Sequence, residues 1–118
     1  MVAQARAVRV VLVMAGSERE AAKIARVLLE EKLAACVNIL GPVRSTYHWQ
    51  GAIESASEHL LMIKTRSRLY RRLERRVREL HDYEVPEILA FTPAAGSKPY
   101  LEWIFASTTP TTRKAASQ

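Results

Sequence analysis

Hydrophobic positions along the chain switch between a two-residue and a helical spacing, and each switch marks an element. Residues 8–14 are rich in valine and apolar apart from Arg9, the pattern of a strand buried on both faces. A helix follows with a clear start: Ser17 and Glu20 have capping-box spacing, and Ala21, Ile24, Ala25 and Leu28 line one face up to about Lys32. From 35 to 49 the chain reads as extended, with Val37, Ile39, Val43, Tyr47 and Trp49 of one parity. Gly41 and Pro42 interrupt it where a bulge tolerates a missing donor, and Gln50 and Gly51 offer a hairpin turn.

The returning strand, 52–65, begins polar and finishes on Leu60, Leu61, Met62 and Ile63, which point to both faces of a sheet. Ser67 is placed to cap a second helix running to about Leu80, whose Leu69, Leu73, Val77 and Leu80 form one stripe. Pro86 keeps Val85 extended ahead of a last strand at 87–91. A short helix near 98–106 carries Tyr100, Leu101, Trp103 and Ile104, and 107–118 reads as a flexible tail.

This order, β-α-β-β-α-β plus a terminal helix, predicts an α+β, ferredoxin-like sandwich in one domain over residues 1–106. Both main helices then cover one face of the sheet and leave the other open. The first and third strands are nonetheless apolar on both faces, so the pattern predicts self-association. It does not give the number of subunits.

Composition changes this picture little. The 118 residues suffice for one core, and hydrophobic (48%) and charged (25%) fractions are those of an ordinary globular chain with no membrane span. The start of the chain has no separate apolar stretch before a cleavage site, and the lone Cys36 sits among small apolar neighbours; a cytoplasmic protein is expected. The net charge of +6 is concentrated in Arg66, Arg68, Arg71, Arg72, Arg75, Arg76 and Arg78, against Glu74 and Glu79. The apolar stripe sends most of these arginines to the wet face of the second helix. A solvated face is therefore favoured over a nucleic-acid surface, and an acidic protein partner is the alternative. No glycine-rich nucleotide loop occurs, and no serine or cysteine has an evident base, so no enzymatic activity is expected.

Two places carry chemistry. Tyr47 and Trp49, with His48, lie at the hairpin tip, where large aromatics favour an interface over the alternative of ligand stacking. His81 lies at the junction of the second helix and the last strand, with Asp82, Tyr83, Glu84 and Glu87 nearby. It reads either as a ligand for copper or zinc or as a helix C-terminal histidine bonded to free carbonyls.

Three runs make the chain recognisable: Lys32 to Gly51, His81 to Glu87, and Tyr100 to Ile104. Over about residues 8–106 they resemble the CutA family of divalent-cation tolerance proteins. The resemblance implies a PII-like homotrimer with its sheets facing inward, a hairpin reaching the neighbouring subunit, and a role in divalent-metal tolerance. It implies metal binding at this histidine junction, in some members through two consecutive histidines and a cysteine near the end of the first strand. Here Leu80 precedes His81, and Val13 or Met14 stands in place of the cysteine. His81 is thus left to recruit Met14 as a thioether for copper(I), or to converge with its copies around a three-fold axis. Glu58, Lys64, Tyr83, Glu87 and Trp103 match family positions around an inter-subunit cleft, which would either bind a small ligand, as in a PII-like signalling module, or hold a buried ion pair.

Overall fold

The computed structural model of the chain describes residues 2–110. The elements run α1 (Val2–Ala5), β1 (Val8–Ala15), α2 (Glu18–Glu30), β2 (Cys36–Trp49), β3 (Ala52–Arg66), a 3-10 turn (Ser67–Leu69), α3 (Tyr70–Leu80), β4 (Ile88–Phe91) and α4 (Lys98–Ser107). The four strands form one sheet in the order β2-β3-β1-β4, with every neighbouring pair antiparallel. That is the ferredoxin-like arrangement, and its origin lies in the alternation of β1 and β3. Val11, Val13 and Ala15 of β1, with Leu61 and Ile63 of β3, meet Ile24 and Leu28 of α2 and Leu73 and Val77 of α3 in the main core.

The other parity of the same strands forms the second face. Val10 pairs with Phe91 and with Lys64, Leu12 with Leu89 and Met62, and Met14 with Leu60; Met62 and Leu60 continue to Asn38 and Leu40 of β2. Side chains of directly opposed residues share a side of the sheet, so these residues make a second layer, apolar except for Lys64 and Asn38. Only one end of it is covered: Leu101 and Ile104 of α4 pack with Val8 and with Ala5 of α1 in a small separate core. The rest stays open, with Leu89 and Phe91 each 52% exposed.

Beyond β1, the hairpin of β2 and β3 continues as a two-stranded arm from Val43 and Glu58 to its turn. Gln50 and Gly51 both have positive φ, at 48° and 82°, as a two-residue primed turn requires. Gly51 supplies the second of these without strain. The register shift between Leu40 and Val43 confirms the bulge, and a side chain at Gly41 would run into the His59 ring. Tyr47 and Trp49 lie on this arm, with Trp49 54% exposed and Ile53 72% exposed.

Three local readings change. Ser67 caps nothing: it opens the 3-10 turn, and α3 starts at Tyr70 with no side-chain cap. Its N–H instead donates to the Ala7 carbonyl (2.8 Å), so the backbone at this position is drawn toward the start of β1. Helix α1 was not expected; its four residues are held by packing on α4 rather than by any helix signal of their own. Finally, α4 and its cap extend past 106. Ser107 closes α4, and Thr108 is buried, its hydroxyl donating to the Ile104 carbonyl at 2.8 Å. Of the expected tail, residues 111–118 lie outside the described residues.

Candidate functional site

The α3–β4 junction folds back on the β1–α2 turn, and two buried polar residues bind the loops together. Ser17 accepts the Glu20 N–H (3.1 Å), as the capping box predicts. The Glu20 carboxylate, however, bonds one residue further back and across the fold: Oε1 accepts the Gly16 N–H (3.0 Å) and Oε2 the Asp82 N–H (2.7 Å). Asp82 follows directly on His81, which leaves the helix with extended backbone.

The His81 side chain is fully buried, and both ring nitrogens are engaged. Nδ1 accepts the Tyr83 N–H (3.0 Å), so the proton sits on Nε2, which donates to the Met14 carbonyl (2.6 Å). Glu20 Oε2 lies 3.4 Å from Nδ1, close enough to pair with the ring when it is protonated. A metal needs a free imidazole lone pair, and the one available here accepts the Tyr83 N–H. Met14 meets the ring through its carbonyl; its side chain belongs to the face shared with Leu60. Among the described residues, no group of three or more His, Cys, Asp or Glu is arranged to hold a metal ion. The residues around His81 therefore do not fit copper or zinc in this conformation, and the imidazole acts as a pin between strand and loop.

The second expected constellation separates into parts. Glu58, only 8% exposed, accepts the Tyr83 hydroxyl (2.9 Å). The Tyr83 ring packs on His81 with centroids 4.8 Å apart, and its hydroxyl reaches over Gly16. Glu87 is exposed just ahead of β4. Lys64 lies six residues along β3 from Glu58, roughly 20 Å for extended chain, where it donates to Asn38 Oδ1 opposite Cys36. Trp103 is on α4, stacked on Tyr100 at 5.6 Å. One chain thus joins Glu58 to Tyr83 and leaves Lys64 and Trp103 apart from them.

Tyr83 also gives a pH dependence. Although the residue is 40% exposed, burial of its hydroxyl end, followed by the Glu58 hydrogen bond and charge, pushes its pKa from 10.0 up to about 12. A phenol held neutral in the fold adds stability that is fully present below the unfolded value and is lost as pH rises through the folded one. We expect the stability gap between wild type and Tyr83→Phe to be constant below pH 10.0 and to close through pH 12, read as urea midpoints. A gap independent of pH across that window would show that neither burial nor Glu58 holds the phenol neutral.

Sequence reading missed two residues. Glu20 carries a helix-start signal, but nothing local points to Asp82, 62 positions away. Asn38 gives no signal before its cross-strand position opposite Met62, next to Lys64, is known.

Comparison with known proteins places this geometry. The family model for the CutA1 divalent ion tolerance protein matches residues 9–107. The "Divalent-cation tolerance protein CutA" of Thermus thermophilus is 46% identical over 95 residues, 80% of this chain and 92% of that protein. "Protein CutA, chloroplastic" of Arabidopsis thaliana is 44% identical over 99 residues, 84% of this chain but 54% of that longer protein. Among solved structures, the periplasmic divalent cation tolerance protein CutA of Archaeoglobus fulgidus superposes with a TM-score of 0.84 at 39% identity, covering 86% of this chain and 99% of that one. Relatives thus carry names from different compartments, and no helix among the described residues is long and apolar enough to cross a membrane. This chain belongs to the CutA1 divalent ion tolerance family.

Proposed function

We propose that the chain assembles as a homotrimer through the open face of its sheet and serves, as a cytoplasmic binding protein rather than an enzyme, in the response to divalent cations, copper and zinc foremost. The observation that supports assembly best is the apolar layer of Val10, Leu12, Leu60, Met62, Leu89 and Phe91, left uncovered beside a projecting aromatic arm. The cation part rests on the family description, since a cation at His81 must first displace the Tyr83 N–H and is held weakly.

A second reading, a small-ligand signalling module, is favoured by buried Glu58 and its bond to the partly exposed Tyr83. A cyclic trimer has a heterologous interface, in which one patch meets a different patch of the neighbour. The Lys64 and Trp103 end of one chain can thereby complete the Glu58 and Tyr83 end of the next.

Growth of a deletion strain in copper- or zinc-loaded medium tests the leading reading. Wild type is expected to restore tolerance, and the double variant Leu89→Asp/Phe91→Asp, which charges the open face, is not. A deletion strain that grows like its parent at every cation concentration would set the reading aside.

A further inference from the structure

The outer face of α3 carries charge that the fold does not use. Arg71, Arg72 and Arg75 of the helix and Arg68 of the 3-10 turn before it are all exposed, and their i, i+3, i+4, i+7 spacing gathers them on the side away from buried Leu73 and Val77. The nearby carboxylates are already engaged. Glu74 pairs with Arg78 (3.6 Å), Glu79 with Arg76 (3.3 Å), and Glu31 with Arg76 (2.9 Å). Among the described residues, no carboxylate pairs with any of the four stripe arginines.

Ordinary helix surfaces interleave charges of both signs, because like charges at these spacings repel. Four unpaired guanidinium groups along about 10 Å of helix therefore make a local field that folding alone does not require. The stripe lies on the helix layer, away from the open sheet face, so trimer assembly through that face leaves it accessible.

We infer that this stripe is a docking surface for an acidic segment of a partner protein. Its arginines recur about one helical turn apart, the spacing at which an acidic helix or turn presents its own carboxylates, and each guanidinium suits a carboxylate in bidentate geometry. A nucleic acid fits less well. The stripe carries no exposed aromatic ring on which a base could stack. The neighbouring helix α2 presents exposed Glu18 and Glu30, with Glu31 just beyond its end, and these would oppose a phosphate backbone running past α3. The partner is thus a protein whose docking element is a short run of aspartate and glutamate, and a trimer would offer it three equivalent stripes.

The test is fluorescence anisotropy with a labelled oligoglutamate peptide and, in parallel, an oligodeoxynucleotide of the same length. The full chain is compared with the variant Arg68→Gln/Arg71→Gln/Arg72→Gln/Arg75→Gln. A control variant, Arg6→Gln/Lys32→Gln/Arg44→Gln/Lys98→Gln, removes the same charge from exposed positions elsewhere. Circular dichroism checks that both variants keep the fold. The peptide is expected to bind wild type more tightly than the oligonucleotide does, with affinity that falls as salt rises. Binding is expected to weaken about tenfold or more in the stripe variant and to change less than about twofold in the control. Equal losses in the two variants would mean that net charge alone attracts the peptide. Tighter binding of the oligonucleotide would assign the stripe to nucleic acid, and no peptide binding even at low salt would remove it as a docking surface; each of these outcomes overturns the inference.

Discussion

Replacing Glu20 with alanine is expected to lower the free energy of unfolding by about 3 kcal/mol, because it removes the buried carboxylate to which two backbone donors bond. The Gly16 and Asp82 N–H groups both bond to this carboxylate, at 3.0 Å and 2.7 Å, and Glu20 is 9% exposed. Alanine restores neither bond. Glutamine keeps one acceptor oxygen and turns an amide NH2 toward the other donor, so it should fall between wild type and alanine. The variants are best compared by urea unfolding at equal protein concentration, since assembly makes stability concentration-dependent. A loss below about 1 kcal/mol for alanine, the range of an exposed side chain, would mean that water or a rearranged loop satisfies these donors.

The double variant Leu89→Asp/Phe91→Asp is expected to fold and to sediment as a single chain. Both residues are half exposed in one chain and lie on β4, a four-residue strand at the edge of the sheet, where they make little of the main core. Their removal should cost the protomer little. In an assembly through the open face they become buried, and truncating a buried aromatic anchor commonly weakens an interface by about 2 kcal/mol or more. An unpaired carboxylate placed in that environment adds its desolvation penalty, repeated at each interface. A variant with wild-type mass would place the contact elsewhere, and the aromatic arm with Tyr47 and Trp49 would be the next surface to charge.

The strands and main helices were legible because their signals are local and repeated. The apolar runs of β1 and β3, the Ser17–Glu20 spacing and the Gln50–Gly51 turn each act within a few residues. Apolar residues on both parities of β1 and β3 also announced a second apolar face, most of which one chain leaves open. What failed was set by distant partners. Ser67 lost its capping role because the backbone there is drawn to Ala7, and α1 exists through its contact with α4, about a hundred residues away. His81 carries two readings in the sequence, a metal ligand and a helix-terminal histidine. Its chemistry turned on which atoms approach each nitrogen, the Met14 carbonyl and the Tyr83 N–H, and backbone groups have no sequence signature. Likewise, Glu58 and Tyr83 meet while Lys64 does not join them, because strand length rather than residue type sets that separation.

Sedimentation equilibrium of the wild-type chain, from micromolar concentration downward, bears most directly on assembly through the open face. A mass of three chains that persists across the dilution series is expected. A single-chain mass at every concentration would leave Leu89 and Phe91 exposed to water in the working protein, and would remove the trimer on which the proposed function rests.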